Sequence, residues 1–208
     1  MDAVMISINP KWVQKILRGE KTIEIRKKAP KISGAFKCYI YCTLGGDQLS
    51  MVNGVVQDLN SIEIPLGDNY KIDFLNGFVV GEFICKEVIP IKVFGNGLIQ
   101  NYTAYGIARS CVPYDDIVKY IGNGCSGYGW KISHLKIYDK PKKVTDFYKP
   151  CITPNFPYCP DCPVGGEYIS DGELEALAEF GECRTEWYCN NVLRKPPQSW
   201  CYVKEQIE

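Results

Sequence analysis

Short runs in which apolar and polar residues alternate, or in which β-branched and aromatic residues cluster, recur along the chain and predict β-strands. The strongest of these predictions fall on residues 4–8, 21–26, 36–43, 78–93, 128–137 and 199–203. The run 21–26 alternates strictly and is predicted to be half buried, with Ile23 and Ile25 on its apolar face. Pro90 predicts a break or an edge position, because proline has no N–H to donate to a ladder. Residues 44–77 give weaker signals, with short strands near 54–56 and 70–74.

Two segments show helical periodicity with recognisable ends. Asn9 followed by Pro10 predicts a helix start, because asparagine caps a first turn and proline fits within it. One face of this helix is apolar, and Gly19 ends it; the face consists of Trp12, Val13, Ile16 and Leu17. A second helix is predicted over 113–121 and an acidic one near 171–180. Many short strands with two or three surrounding helices predict an α+β fold, with a mixed or antiparallel sheet curled into a small β-barrel.

Composition places the chain among ordinary folded proteins. Of 208 residues, 46% are hydrophobic and 23% are charged, as expected for one full-sized domain, with or without an insertion. Equal numbers of basic and acidic residues, 24 each, leave no overall field toward nucleic acid or anionic membranes. The neutral total conceals two patches, because residues 10–40 carry nine basic and two acidic side chains, whereas residues 160–190 carry eight acidic and one basic. Each patch is either a solvated surface or a binding surface.

Eleven cysteines accompany a single histidine, His134. The first residues form no signal peptide, and no apolar run approaches the roughly 18 residues of a membrane span, so we expect a cytoplasmic chain without a membrane partner. Reduced or metal-bound thiols then account for the cysteines better than disulfides do. One histidine excludes catalysis at a metal held by two histidines, and we expect His134 to be structural.

A zinc site is one interpretation of the cysteines in the second half of the chain. Cys159 and Cys162 have the spacing of one half of a structural zinc site. Cys183 and Cys189 are the candidates for the other half, although their spacing is wider than usual. The alternatives are therefore a structural zinc ion and no cofactor at all, with reduced, partly buried thiols.

A compact group of charges follows the first helix. Lys21, Glu24 and Arg26 lie on a predicted strand, and Glu24 and Arg26 share one face, about 7 Å apart along the strand. Such an edge offers an acceptor beside a fork of donors, which suits a base or another small planar ligand. The alternative is an ion pair on a solvated sheet face, which contributes little energy.

The run from Ile6 to Arg26 resembles the opening of an ASCH domain, whose hallmark is the motif Gly-x-Lys-x-x-Glu-x-Arg. The motif residues are Gly19, Lys21, Glu24 and Arg26. Further similarity covers the segments 80–83, 105–107, 113–121 and 128–147, and the ending 197–202 resembles the Pro-Gln-Ser-Phe-x-Tyr sequence of bacterial and phage members.

The resemblance implies a PUA-like barrel formed by residues 1–150 and closed by a C-terminal strand within 191–208. Residues 151–190 are then an acidic, cysteine-rich insertion. It also implies a cleft where Lys21, Glu24 and Arg26 gather, and the similar ending adds Gln198 and Ser199 to this binding site.

The function implied first is binding of RNA, or of a modified nucleoside or nucleotide, without established catalysis. Some small members resemble this chain but remove an acyl group from N4-acetylcytidine, using the motif lysine, a threonine and a glutamate of the middle helix. Here Glu24 replaces the threonine, and the middle helix offers Asp115 and Asp116. An amidohydrolase alternative therefore has Glu24 as a general base and Lys21 as an oxyanion stabiliser. A third alternative is a phage or host interaction adaptor whose acidic insertion meets a basic partner.

Overall fold

The computed structural model describes residues 3–52, 54–58, 71–100, 106–149 and 192–205. Within these ranges the two α-helices are α1 (Pro10–Leu17) and α2 (Tyr114–Ile121). The strands are β1 (Ala3–Ile8), β2 (Ile23–Arg26), β3 (Phe36–Cys42), β4 (Leu49–Val52), β5 (Val55–Asp58), β6 (Ile72–Phe74), β7 (Val79–Lys92), β8 (Ser126–Lys142), β9 (Phe147–Tyr148) and β10 (Trp200–Glu205).

Seven of these strands form the main sheet, in the order β2-β8-β7-β3-β1-β10-β9. Strands β1 and β3 are parallel, and the other neighbours in this sheet are antiparallel. A smaller sheet has the order β5-β4-β6. The α+β class and the mixed sheet predicted from the sequence are therefore confirmed.

Closure of the main sheet into a barrel is not observed in the described part of the chain. The order is open, with β2 at one end and β9 at the other, and no ladder joins the two. Side chains connect the two parts instead; for example, Arg26 on the edge strand β2 donates to the carbonyl oxygen of Ser7 on β1. The sheet is thus curled enough for its edge to reach β1, but the gap is spanned by side-chain contacts and not by a ladder.

The first helix begins and ends where the sequence predicts. The side chain of Asn9 accepts a hydrogen bond from the backbone N–H of Lys11, at 3.1 Å, and caps the first turn. Gly19 has a φ of +74°, a left-handed conformation that glycine adopts at little cost. The apolar face buries Val13 and Ile16 in the same cluster as residues of β1 and β3, and this anchors the helix to the main sheet.

Strand β2 is buried on both faces, whereas the sequence predicts burial of one face only. Ile23 and Ile25 pack with Ile117 and Ile121 of α2 in one apolar cluster. The charged residues of the opposite face, Glu24 and Arg26, are also buried, at only 6% and 8% exposure. Periodicity could not predict this burial, since it comes from segments distant in sequence.

Strands β7 and β8 form a long antiparallel pair. Strand β8 runs from Ser126 to Lys142 and is therefore longer at both ends than the predicted strand 128–137. The ladder of this pair contains register shifts, so the two strands are bent rather than flat. Pro90 lies within β7 opposite Tyr128, and β3 pairs with β7 only as far as Cys85. The edge alternative for Pro90 is therefore correct, and the strand does not break there.

Two predictions for the remaining segments have different outcomes. The two short strands predicted within residues 44–77 correspond to β5 and β6. Strand β4, which lies between β3 and β5 in the sequence, is not predicted by the pattern. The proposed insertion 151–190, with its acidic helix, lies outside the described residues. No helix among the described residues is long and apolar enough to cross a membrane.

Candidate ligand-binding cleft

The turn after α1 places the charged residues of β2 at the centre of the molecule. The backbone N–H groups of Glu20 and Lys21 both donate to the carbonyl oxygen of Lys15, which folds the chain back after Gly19. The N–H of Thr22 then donates to the carbonyl oxygen of Arg109, in the 3-10 turn that precedes α2. Strand alternation puts Glu24 and Arg26 on one face of β2, so the helix end, the turn and the strand together fix the positions of these side chains.

Lys21 is the most deeply buried of the three, at 1% exposure. Its Nζ donates to the carbonyl oxygens of Ile23, at 2.8 Å, and Ser110, at 2.7 Å. The same atom lies 3.2 Å from Glu24 Oε2 and 5.4 Å from the centroid of the Trp12 ring. Lys21 thus connects β2 to the 3-10 turn, and its short hydrogen bonds go to the protein's own backbone.

Glu24 lies between two cations. Its Oε1 forms an ion pair with an Nη atom of Arg26 at 3.0 Å, and its Oε2 forms one with Lys21 at 3.2 Å. Oε2 is buried and accepts no hydrogen bond, so its contact with Lys21 is an ion pair only. A buried carboxylate oxygen of this kind is a strong acceptor.

Arg26 joins the site to the other end of the sheet. One Nη atom donates to the carbonyl oxygen of Ser7 at 2.7 Å, and the other donates to Ser199 Oγ at 3.4 Å. Ser199 is itself held by its carbonyl oxygen, which accepts from the N–H of Ser7. The Nε–H of Arg26 is buried and, like Glu24 Oε2, has no hydrogen-bond partner.

These side chains form part of the wall of a cleft of about 340 Å³. Its volume is within the range of small-molecule sites, roughly 300–1,000 Å³. The lining residues are Ser7, Ile8, Asn9, Trp12, Lys21, Glu24, Ile25, Arg26, Val112, Asp116, Ile117 and Tyr120. Two helices therefore flank the charges of β2, each with one aromatic ring.

A lysine ammonium group lies over each of the two aromatic rings that line the cleft. Lys11 Nζ lies 4.9 Å from the centroid of the Trp12 ring, and Lys27 Nζ lies 5.3 Å from that of Tyr120. Lys11 and Lys27 are exposed and belong to the basic segment 10–40. The rim of the cleft consequently combines flat apolar surfaces with positive charge, the combination found where single-stranded nucleic acid binds.

Solved structures similar to this chain come from Zymomonas mobilis. A tyrosine-to-phenylalanine variant has a TM-score of 0.49 and 14% identity, covering 99% of this chain and 93% of that chain. The protein without a named substitution gives a TM-score of 0.44 at 14% identity, covering 97% of this chain and 87% of that chain. A serine-to-alanine variant gives 0.46 at 14% identity, covering 98% and 89%.

All three are ASCH proteins. They carry the name of the family that the Gly-x-Lys-x-x-Glu-x-Arg motif resembles. No family model matches the chain, and neither does any curated protein.

The side chains of the motif that resembles the ASCH family gather in one place. Lys21, Glu24 and Arg26 all line the cleft, so the convergence expected from the sequence is observed. Ser199 touches Arg26 but is not a lining residue, and Gln198 is exposed in the same turn, away from the lining.

Trp12 and Tyr120 were not predicted as site residues. The sequence placed Trp12 on the buried face of α1, but it is partly exposed and lines the cleft. The aspartates of the middle helix differ, since Asp116 lines the cleft and Asp115 does not. The spacing of Asp116 and Tyr120, four residues apart on α2, was the signal that they share one helix face.

The cysteines that the structure describes are free thiols. Burial raises the pKa of Cys42 to about 12 and that of Cys85 to about 11, so both thiols are protonated at neutral pH. The described residues contain no group of three or more side chains suited to a metal ion. The proposed zinc ligands Cys159, Cys162, Cys183 and Cys189 lie outside the described residues, and the zinc interpretation stays a prediction.

His134 is exposed and is not among the residues that line the cleft. It has a φ of +51° within β8, next to a register shift, which is an uncommon conformation for a residue other than glycine. Lys86 Nζ lies 3.5 Å from its Nε2. It lies on β8 beyond the stretch that pairs with β2, which ends where Ile23 is opposite Lys131.

Proposed function

We propose that this chain binds a nucleotide of RNA, or a free nucleoside or nucleotide, in the cleft between α1, α2 and β2. The PUA-like character implied by the sequence motif belongs to the same proposal. The base lies in the cleft with its polar edge toward Glu24 and Arg26, and the backbone or the phosphate lies toward the basic rim. Binding, rather than catalysis, is the activity that these residues support best.

One observation carries the proposal. Glu24 Oε2 and Arg26 Nε are buried, belong to neighbouring side chains on one strand face, and lack hydrogen-bond partners. Buried polar groups in proteins are normally paired, so an unpaired acceptor beside an unpaired donor favours a ligand with the reverse pattern. Cytosine has that pattern, with an amino group at C4 next to the acceptor N3, whereas uracil presents a carbonyl at C4.

The walls of the cleft support the same class of ligand. Trp12 and Tyr120 supply rings on which a base can stack, a contact that contributes about 1–3 kcal/mol per base. Lys11 and Lys27 supply positive charge at the rim, which favours phosphate and makes RNA binding weaken as salt rises.

The amidohydrolase alternative has less support. Lys21 would have to stabilise an oxyanion, but its Nζ donates to two backbone carbonyls at 2.7 and 2.8 Å. Releasing either bond would leave a carbonyl oxygen unpaired in a buried place, at a cost of about 1–3 kcal/mol. Turnover of an N4-acylated cytidine that disappears in Lys21→Ala would nevertheless favour this alternative over simple binding.

The test is calorimetric titration of the protein with cytidine, uridine and a short single-stranded RNA. We expect cytidine to bind more tightly than uridine, and Tyr120→Ala to weaken cytidine binding about tenfold through the loss of stacking. Tyr120 is 40% exposed, so the variant should fold. Phe94→Ala is the matched control, because Phe94 is 42% exposed and does not line the cleft.

Two results would refute the proposal. One is the absence of binding by any of the three ligands at millimolar concentration. The other is an equal effect of Tyr120→Ala and Phe94→Ala, which would place the ligand outside the cleft.

A further inference from the structure

Helix α2 presents a carboxylate to the cleft as well as an aromatic ring. Asp116 and Tyr120 are four residues apart on this helix, and both line the cleft. Asp116 is exposed and forms no ion pair or hydrogen bond with the described residues. The cleft therefore contains two carboxylates in different settings, since Glu24 is buried between two cations and Asp116 is exposed on α2.

The charge of Asp116 restricts which part of a nucleotide can lie beside it. A phosphate would meet a like charge there, whereas Lys11 and Lys27 offer positive charge at the two aromatic rings. A base edge already has its partners in Glu24 and Arg26. Of the three parts of a nucleotide, the sugar is the one whose hydroxyl groups donate hydrogen bonds and carry no charge.

A carboxylate is well suited to a ribose. Its two oxygens can accept from two neighbouring hydroxyls, and an acidic side chain is a common partner of the ribose 2′-hydroxyl in nucleotide-binding proteins.

We propose that Asp116 accepts hydrogen bonds from the 2′- and 3′-hydroxyls of a ribose, and that it makes the cleft selective for ribonucleosides over deoxyribonucleosides. The inference rests on the proposed function and adds the sugar to it. Asp116 is a specificity residue in this proposal, because it touches the ligand and discriminates between sugars. A free cis-diol occurs both in a free nucleoside or 5′-nucleotide and at the 3′ end of an RNA strand.

The experiment compares cytidine with 2′-deoxycytidine by calorimetric titration. We expect the intact protein to bind cytidine at least tenfold more tightly, since a hydroxyl donating to a carboxylate is a charge-assisted hydrogen bond. Asp116→Ala should reduce this ratio to about one by weakening cytidine binding alone. Asp115→Ala is the control, because Asp115 precedes Asp116 on the same helix, is exposed and does not line the cleft, and it should keep the full ratio.

A second comparison distinguishes the two sources of the diol. Cytidine 5′-monophosphate is tested against RNA oligomers that end in a 3′-hydroxyl or in a 3′-phosphate. Tight binding of the monophosphate alone assigns the site to free nucleotides, and tight binding of the 3′-hydroxyl oligomer alone assigns it to an RNA end. Equal binding of the 3′-hydroxyl and 3′-phosphate oligomers, at the affinity of cytidine 5′-monophosphate or tighter, contradicts the proposed diol contact.

The failures of the two proposals can be told apart. If cytidine and 2′-deoxycytidine bind the intact protein equally, or if Asp116→Ala keeps the tenfold ratio, the ribose contact is refuted while nucleoside binding stands. If neither nucleoside nor RNA binds, both proposals fall together.

Discussion

At the scale of single residues, the candidate site depends on Lys21, whose hydrogen bonds go to the backbone of the protein. Lys21 has a charged group buried to 99%, which is unfavourable unless every donor finds an acceptor. Two backbone carbonyls and the carboxylate of Glu24 surround it. The lysine thereby holds the Glu24 carboxylate in place in the wall of the cleft.

Lys21→Met should destabilise the fold strongly while keeping the length of the side chain. The substitution leaves the carbonyls of Ile23 and Ser110 unpaired and removes one of the two cations beside Glu24, and we expect a loss of about 3 kcal/mol in the free energy of unfolding. Urea denaturation measures it. Lys15→Met is the control, because the Lys15 side chain is 35% exposed in a surface ion pair with Glu20, which contributes less than about 1 kcal/mol. Equal losses in the two variants would contradict a structural role for Lys21.

At the scale of elements, the long strands β7 and β8 leave no room for a side chain at Gly81. A Cβ atom on Gly81 would lie 2.5 Å from the carbonyl oxygen of Lys136, a distance that real Cβ contacts essentially never show. The obstacle is backbone, so no side-chain rotation relieves it. The close approach coincides with a register shift in the ladder, between Val79 and Gly81. Glycine is therefore required at this position by space rather than by φ.

Gly81→Ala tests this close approach. We expect a loss of about 1–3 kcal/mol in stability, because the added methyl group has to push the two strands apart. The midpoint of thermal unfolding, followed by circular dichroism, measures the effect. Gly95→Ala is the matched control, since nothing lies within 4 Å of a Cβ there, and it should leave the midpoint nearly unchanged. A midpoint for Gly81→Ala equal to that of Gly95→Ala would show that the strands separate freely.

The same scale explains what the sequence could predict. The ends of α1 follow from local chemistry, the cap of Asn9 and the left-handed turn of Gly19, and both are found as predicted. The burial of both faces of β2 depends on α2 and on the 3-10 turn at residues 107–110, which lie more than 80 residues away in sequence. The partial exposure of Trp12 could not be predicted for a similar reason. Its helix face packs partly against the core and partly borders the cleft, and the cleft is formed by segments distant in sequence.

At the scale of the whole molecule, strand β10 completes the sheet. It lies between β1 and β9, and its Trp200 packs edge-on against Trp130 of β8, with ring centroids 5.8 Å apart. Tyr202 on the same strand accepts a hydrogen bond from the N–H of Lys31 at 2.8 Å. The strand is therefore joined to β1, β8 and the loop after β2, and through Ser199 it adjoins the cleft.

Deletion of residues 200–208 should abolish cooperative folding. The shortened chain loses the antiparallel partner of β1 and the aromatic contact with Trp130, and β9 loses the neighbour that attaches it to the sheet. The measurement is the urea transition followed by tryptophan fluorescence, and we expect no sharp transition. Deletion of residues 206–208 alone is the control and should keep the transition. A cooperative transition at the same midpoint in the longer deletion would show that β10 is dispensable.

The position of β1 in the sheet has a consequence for how the protein is made. Strand β3 follows β1 after one helix and one short strand, so it can pair with one edge of β1 soon after both have been synthesised. The other edge of β1 has to wait for β10, whose residues lie almost 200 positions further along the chain. During synthesis an unpaired, apolar strand edge is thus exposed until β10 has been translated, which is the condition under which nascent chains associate wrongly or engage chaperones.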